Sequence, residues 1–299
     1  MQAAPLALAS WEGYCYADNH SEALQGYSAF VTGNLFENFL LWSTATVANP
    51  PSARAIMTPV LDNKVILVTG AAKRIGRGIA LRLAQQGARV AIHYENSEAE
   101  AQDTAKECRN APVFQADLSQ VHEIERLFKE VEAHFGRLDG LVNNAARFTR
   151  IHPLEVTEAD WDYIHSVNLK AVFFCCQQAA KRMVAQGDGG RIVNISSLGG
   201  IKPWAHHAHY GASKAGVIHM TRSLAKAFGS NRITVNTVAP GVIEFGDSPA
   251  DHVARPISQT PVQRSGTADE IADAVVYFLN ATDFVTGQLL AVDGGLGLR

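Results

Sequence analysis

A short β-branched run that ends in glycine and opens at once into a helical pattern restricts the fold of this chain more than any other feature. The run Val65–Val68 is apolar throughout, as expected of a strand buried on both faces of a parallel sheet. Residues 75–86 then carry apolar side chains at helical spacing, and Gly87 ends that pattern. A strand joined to a helix by a glycine turn predicts the first half of a βαβ unit.

The same alternation of strand and helix continues along the chain. Strands that alternate with helices predict a parallel sheet with helices on both faces, and right-handed crossovers then give the doubly wound order 3-2-1-4-5-6-7. A length of 299 residues suits one such α/β domain, so we expect a single Rossmann-like, seven-stranded domain. The further strand-like runs are residues 89–93, 113–115, 140–142, 191–195, 234–238 and 289–292.

The first 57 residues differ from the rest, and we divide the chain into residues 1–57 and a catalytic domain of residues 58–299. Residues 1–56 contain no Lys and only Arg54, beside four acids, which suits neither a secretory signal nor a transit peptide. An amphipathic helix near residues 34–42 would dock its aromatic side chains on the domain. We favour the alternative that Met57 is the natural start and the preceding stretch has no role in catalysis.

Charge and composition exclude several classes of function. The formal net charge is -3, with both signs interspersed, so the sequence predicts no nucleic-acid partner. No apolar run reaches the roughly 18 residues that a membrane span needs. The four cysteines lack metal-ligand spacing, and Cys175 and Cys176 are expected to be small core residues, which favours a cytoplasmic location and no metal.

A tyrosine and a lysine four residues apart suggest acid–base chemistry. On a helix, Tyr210 and Lys214 lie one turn apart on the same face. The cation favours the phenolate and should lower the phenol pKa from its usual value of about 10. Ser197, thirteen residues upstream of the tyrosine, would supply a second hydrogen bond to a reacting oxygen.

Three glycines in the first strand-to-helix turn predict an anion site. Gly70, Gly76 and Gly78 lack Cβ atoms, so backbone amides can approach a pyrophosphate there. The positive end of the following helix favours the same anion. Because the glycines follow a strand and precede a helix, the pattern indicates a dinucleotide site.

These motifs together resemble the short-chain dehydrogenase/reductase family over residues 64–295. The family's T-G-x-x-x-G-x-G turn matches residues 69–78 if two more residues separate the first two glycines, a longer turn that looks like that of pteridine reductases. Other motifs follow in order: the ADL segment at 116–118, NNAA at 143–146, VNL at 167–169, the Tyr210 and Lys214 pair, NTVAPG ending at Pro240 and Gly241, and GQLLAVDGG near the end.

The resemblance implies a role for each matching residue. Tyr210 would exchange the proton with the substrate oxygen, Ser197 would align that oxygen, and Lys214 would hold the nicotinamide ribose. Asn168 would hold a water that links Lys214 to solvent, although a helix-interior asparagine bonded to backbone is an equal interpretation. Asn144 would support the central strand. The implied cofactor contacts are Gly70, Arg74, Ile75, Gly76, Asn96, Ser97, Asp117, Leu118, Asn144, Tyr210, Lys214, Pro240 and Gly241.

The residues after the second strand bear on the choice between the two nicotinamide cofactors. Arg74 offers a guanidinium fork that fits a phosphate, and Asn96 and Ser97 match phosphate-side positions of the resemblance. Glu95 departs from that pattern, because a carboxylate would repel the phosphate. We expect NADP (NADPH) rather than NAD. Asp117 either contacts adenine, as the resemblance implies, or caps the helix of residues 121–135.

The substrate is expected to be a small carbonyl or alcohol compound. The sequence resembles 3-oxoacyl-carrier-protein reductases most, whereas the glycine turn and Phe148 resemble pteridine reductases, which have an aspartate where this chain has Ser197. Phe148 and Trp204 are the candidate substrate contacts. A non-catalytic dinucleotide-binding protein is a further alternative. By analogy, long helices near residues 161–186 and 209–228 would form a homodimer or homotetramer.

Overall fold

The computed structural model describes residues 60–245 and 257–298, and these residues form one sheet of seven parallel strands in the order β3-β2-β1-β4-β5-β6-β7. The predicted fold class and strand order are confirmed. The order reverses between β1 and β4, which opens a crevice at the carboxyl ends of these two strands. The strands are β1 Val65–Val68, β2 Arg89–Tyr94, β3 Val113–Gln115, β4 Gly140–Asn143, β5 Gly190–Ile195, β6 Ile233–Pro240 and β7 Leu289–Val292.

Helices connect the strands and cover both faces of the sheet. Residues 158–186 are helical without a gap, as predicted near residues 161–186, and the π-helical segment Ser166–Ala171 divides this helix into α4 and α5. Such wide turns are rare and concentrate at functional sites, and this one contains Asn168. The helices are α1 Arg74–Gln85, α2 Glu98–Glu107, α3 Val121–Phe135, α4 Glu158–His165, α5 Val172–Gln186, α6 Ala208–Phe228 and α7 Ala268–Asn280.

The side chains of β1 alternate between two apolar layers. Ile66 and Val68 pack with α1, α2 and α7, whereas Val65 and Leu67 pack with α3 and α5. Since all four are at most 1% exposed, β1 is buried on both faces, as its uninterrupted apolar sequence predicts. Each such side chain contributes about 1.5–3 kcal/mol of burial free energy, so the turn that follows β1 starts from a rigid strand.

Cys175 and Cys176 lie in the second of these layers, as expected. Burial raises the pKa of the Cys176 thiol to about 12 and raises that of Cys175 as well, so both remain protonated. In the part of the chain that the structure describes, no helix is long and apolar enough to cross a membrane. The expectations for residues 1–57, including the helix near 34–42 and the start at Met57, lie outside the described residues.

Candidate active site

A cavity of about 410 Å³ lies at the carboxyl ends of β1 and β4, where the strand order reverses. The glycine turn forms one end of the cavity, and Tyr210 lies among the residues that line it. The predicted residues that line it are Gly70, Arg74, Ile75, Gly76, Leu118, Asn144 and Tyr210. Of the other predicted cofactor contacts, Lys214 lies on α6 and Pro240 ends β6, whereas three lie on the loops after β2 and β3 and one on the loop after β6: Asn96, Ser97, Asp117 and Gly241.

The glycine turn corrects the alignment made from the sequence. Arg74 has φ +52°, in the left-handed region that glycine usually occupies. The pattern T-G-x-x-x-G-x-G therefore fits Thr69, Gly70 and Gly76 without any insertion, and Arg74 stands at its second glycine. A Cβ on Gly78 would lie 2.6 Å from the Cβ of Ala268, so Gly78 packs α1 against α7. The prediction that Gly78 lines the turn is wrong.

The turn is held by close backbone contacts and by Asn144. The Asn144 Nδ2 donates hydrogen bonds of 3.0 Å to the carbonyl oxygens of both Thr69 and Gly70, and its N–H donates to Thr69 Oγ1 at 2.9 Å. A Cβ on Gly76 would collide with the Gly70 oxygen and lie 2.5 Å from Asn144 Nδ2. Asn144 therefore braces the end of β1, the supporting position predicted for it.

The amino-terminal end of α1 fits a phosphate group. Its first turn contains no acidic residue, and within the described ranges no side chain caps it. Lys73 and Arg74 lie at this end instead, and the Lys73 ammonium pairs with the Glu100 carboxylate at 2.7 Å. This end of α1 could bind a pyrophosphate, because it combines uncapped N–H groups with two basic side chains and a glycine-lined turn.

His93 holds the cavity floor, a role that sequence reasoning missed. Its Nδ1 accepts the Gly70 N–H at 3.0 Å, so its Nε2 carries the proton and donates to the Ala116 oxygen at 3.0 Å. Burial lowers the pKa of His93 to about 4, which keeps the ring neutral. A histidine directly after the apolar run 90–92 of β2 was the signal that could have indicated it.

Asp117 lies in a turn at the end of β3. Its carboxylate accepts hydrogen bonds from the Ser119 N–H at 2.9 Å and hydroxyl at 2.8 Å. Burial raises its pKa, but these bonds and the Arg147 charge outweigh burial, and the pKa is lowered. Because Gln120, and not Asp117, occupies the N-cap position of α3, the interpretation of Asp117 as that cap is wrong.

Glu95, the departure noted in the sequence, is paired in the structure. Its carboxylate lies 3.0 Å from Nη2 of Arg147, which also lies 3.7 Å from Asp117. Sequence reasoning did not single out Arg147, because no local pattern joins the loop after β4 to the end of β2. Asn96 is exposed, and Ser97 is the N-cap residue of α2 but makes no side-chain cap within the described residues.

Tyr210, Lys214 and Ser197 converge near the cavity. Helix α6 places the Lys214 Nζ 5.9 Å from the centre of the Tyr210 ring, and Nζ donates to the Ile195 oxygen at 3.0 Å. Ser197 follows β5; its Oγ accepts the Gly199 N–H at 3.0 Å, and it lies close enough to Tyr210 to influence the phenol pKa.

The ionisation of this group differs from the sequence prediction. Burial raises the pKa of Tyr210, and the hydrogen bond with Ser197 only partly opposes it. Burial also lowers the pKa of Lys214 to about 8. The prediction that Lys214 leaves the Tyr210 pKa below its usual value is therefore wrong for this geometry, because desolvation exceeds the favourable interactions.

Asn168 is fully buried in the π-helical segment. Its Oδ1 accepts the Arg147 N–H at 2.7 Å, and its Nδ2 donates to the Arg147 oxygen at 2.8 Å and to Ser213 Oγ at 3.3 Å. Both amide hydrogens are used by protein acceptors. The geometry agrees with the interpretation of a polar group bonded to backbone, and the Asn168 side chain fixes the loop after β4.

An aromatic group borders Tyr210. The Phe148 ring meets the Tyr210 ring edge-on at 5.0 Å between centroids, and is 59% exposed. His207 lies 5.0 Å from Phe148 and 5.8 Å from Trp204, so it joins the two candidate substrate residues. His209 bonds Thr149 Oγ1 at 2.6 Å. Among the described residues no group of three or more His, Cys, Asp or Glu could hold a metal ion.

The loop after β6 closes the other side of the cavity. The Gly241 N–H donates to the Val292 oxygen at 3.0 Å, and a Cβ there would lie 2.6 Å from the Asp293 Cα. Pro240 and Gly241 thus pack the end of β6 against β7. Phe245 follows and lines the cavity, with the Arg74 guanidinium 5.5 Å from its ring centre.

Comparisons with known proteins agree with this geometry. The family model described as Enoyl-(Acyl carrier protein) reductase matches residues 70–297. The chain is 39% identical over 242 residues to the 3-oxoacyl-acyl-carrier-protein reductase FabG of Staphylococcus aureus, covering 78% of this chain and 98% of that protein. It is 38% identical over 243 residues to the 2-dehydro-3-deoxy-D-gluconate 5-dehydrogenase of Escherichia coli, covering 79% and 96%. The crystal structure of acetoin dehydrogenase from Enterobacter cloacae superposes with a TM-score of 0.74 at 35% identity, covering 79% and 96%.

Proposed function

The chain belongs to the short-chain dehydrogenase/reductase family, and we propose that it transfers hydride between NADPH and the carbonyl carbon of a 3-oxoacyl thioester-type substrate. As a member, it is an oxidoreductase that uses a nicotinamide dinucleotide. One observation carries the proposal: Tyr210, with the Lys214 Nζ 5.9 Å from its ring centre, lines a cavity that also contains the glycine turn at the start of α1.

The chain's own residues handle the proton. The bound nicotinamide supplies or accepts the hydride. Tyr210 has a raised pKa and so carries its proton at neutral pH, ready to donate from Oη to the substrate oxygen. Ser197, which lies next to Tyr210, would donate a second hydrogen bond to that oxygen. Lys214, with a pKa of about 8, is mainly charged at neutral pH and stabilises the phenolate as the proton leaves.

NADPH is favoured over NADH by the charges near the turn. Arg74 brings a positive charge to the amino-terminal end of α1 and lines the cavity, as does Lys73, whose ammonium pairs with Glu100 at 2.7 Å. We propose that Asn96 and Ser97 contact the extra phosphate, that Asp117 and Leu118 border adenine, and that Pro240 and Gly241 border the nicotinamide.

The substrate class rests on similarity and on the rim of the cavity. The names of the relatives with 36–39% identity include 3-oxoacyl-acyl-carrier-protein reductases, and Phe148 and Trp204 provide apolar surface for an acyl chain. A second candidate is the reduction of a C=N bond in a pteridine-type ring. The edge contact between Phe148 and Tyr210 supports it, because a planar ring could stack on Phe148 next to the proton donor.

We also propose an oligomeric state, a cellular location and the part of the chain that carries the activity. Trp161, Phe173 and Val184 are 39–47% exposed on α4 and α5, which supports a homodimer or homotetramer that covers these helices. The three cysteines among the described residues are free and buried, which supports a cytoplasmic location. We propose that residues 58–299 carry the whole activity and that residues 1–57 take no part in it.

Turnover with a substrate panel tests this proposal. Purified full-length protein is incubated with NADPH and, separately, a 3-oxoacyl thioester, a pterin and a simple ketone, and absorbance of NADPH is followed. The proposal expects the highest kcat/KM with the thioester. Highest turnover with the pterin would favour the second candidate. Binding of NADPH without its oxidation by any of the three would favour a non-catalytic binding protein.

A further inference from the structure

Arg147 connects three elements beside the adenosine end of the cavity and belongs to none of the family motifs. Its Nη2 lies 3.0 Å from the Glu95 carboxylate and 3.7 Å from that of Asp117, and its guanidinium lies 4.6 Å from the centre of the Tyr163 ring. The side chain is only 18% exposed. Two carboxylates and a ring face therefore hold one cation in the wall of the cavity.

The backbone of the same residue is also fixed. Asn168 bonds both the N–H and the carbonyl oxygen of Arg147, at 2.7 and 2.8 Å. Both the backbone and the guanidinium of Arg147 are thus held in place before any ligand binds. A preorganised guanidinium loses less entropy when it binds an anion.

Glu95 occupies the position at which dinucleotide sites distinguish NAD from NADP. Glu95 directly follows β2, where an acid bonds the ribose hydroxyls of NAD and repels the 2′-phosphate of NADP. Here Glu95 and Arg147 both line the cavity, and the arginine offsets the carboxylate charge. An acid that would otherwise select NAD is therefore paired with a group that binds phosphate well.

We propose that Arg147 is a specificity-determining residue for the cofactor, and that a 2′-phosphate competes with Glu95 for its guanidinium. The inference rests on the proposed use of NADPH. Removing the cation leaves Glu95 and Asp117 uncompensated at the place where the phosphate would bind. Removing the Glu95 charge frees the guanidinium for the phosphate.

Binding of small fragments isolates this effect from hydride transfer. Dissociation constants of adenosine 2′,5′-bisphosphate and adenosine 5′-monophosphate are measured by calorimetry on the full chain, and those of NADPH and NADH by fluorescence. For Arg147→Met, the constants for the bisphosphate and NADPH should rise at least about tenfold, whereas those for the monophosphate and NADH change less than about threefold. Arg147→Lys should fall between, since it keeps the charge but loses the fork.

Two further variants keep the test independent of folding. Glu95→Gln retains Arg147 and should tighten bisphosphate binding by about three- to tenfold. Arg264→Met is the matched control: Arg264 also pairs with a glutamate, Glu270, at 2.6 Å, but lies outside this cavity, so all four constants should stay at the wild-type values.

The two proposals fail separately. A wild-type protein that binds NADH more tightly than NADPH overturns the proposed cofactor. The Arg147 inference is overturned if the ratio of bisphosphate to monophosphate constants is the same in wild type, Arg147→Met and Glu95→Gln. Equal weakening of both fragments by Arg147→Met, with no effect of Glu95→Gln, would leave Arg147 a purely structural role.

Discussion

Substitution of Gly76 by alanine tests whether the glycine turn is as closely packed as its geometry indicates. The new Cβ would collide with the Gly70 oxygen and lie 2.5 Å from Asn144 Nδ2, so backbone would have to move. Overpacking of this kind costs about 1–3 kcal/mol. At about 2–4 °C per kcal/mol for a domain of this size, the melting temperature should fall by roughly 2–12 °C. Displacement of the amides should also raise the NADPH dissociation constant by at least about tenfold.

Gly229→Ala is the matched control for that experiment. Among the described residues nothing lies within 4 Å of a Cβ built on Gly229, and its φ of -56° suits any residue. Its melting temperature should therefore equal or slightly exceed that of wild type, because alanine restricts the unfolded chain by about 0.4–1 kcal/mol. For both variants, the melting temperature is measured by thermal unfolding and the NADPH dissociation constant by fluorescence titration. A Gly76→Ala protein with wild-type stability and wild-type NADPH affinity would refute the reasoning.

Three further results are expected. The pKa of His93 is about 4 when folded and 6.5 when unfolded, so the unfolded chain takes up its proton first as pH falls. The stability of wild type relative to His93→Gln should drop by about 3 kcal/mol between pH 6.5 and 4 in urea titrations; a constant difference would contradict the buried neutral ring. Because the pKa of Lys214 is about 8, kcat/KM for reduction should fall as pH rises through that value, and a flat profile to pH 10 would exclude a needed ammonium. Asn168→Leu leaves the N–H and oxygen of Arg147 unpaired and should lower stability by about 2–4 kcal/mol in chemical denaturation, unlike a Leu at a surface asparagine.

The strands could be predicted from the sequence because their apolar runs depend only on burial. Val65–Val68 is buried on both faces, and its limits were predicted to the residue. The strand order followed from the preference for right-handed crossovers, which holds for parallel strands in general. The π-helical segment between α4 and α5 could not be predicted in this way, since its residues have ordinary helical propensity and its Asn168 bonds Arg147, which is 21 positions away in sequence.

The site was predictable where a local motif carries the chemistry. Tyr210 and Lys214 lie one turn apart on α6, and Ser197 reaches Tyr210 from the end of β5. The ionisation of Tyr210 was not predictable, because it depends on the surrounding packing. The contact of Arg147 with Glu95 joins residues 52 apart in sequence, and a single sequence contains no signal of such a pair.

The central claim is that Tyr210 donates the proton while hydride moves from the cofactor to the substrate carbon. The most direct measurement incubates NADPH carrying deuterium at the transferred position with a 3-oxoacyl thioester and detects deuterium in the product by mass spectrometry. The wild-type protein should place deuterium on the new alcohol carbon, whereas Tyr210→Phe should still bind NADPH but form this product at least about a hundredfold more slowly. Product formation by Tyr210→Phe at the wild-type rate would contradict the claim.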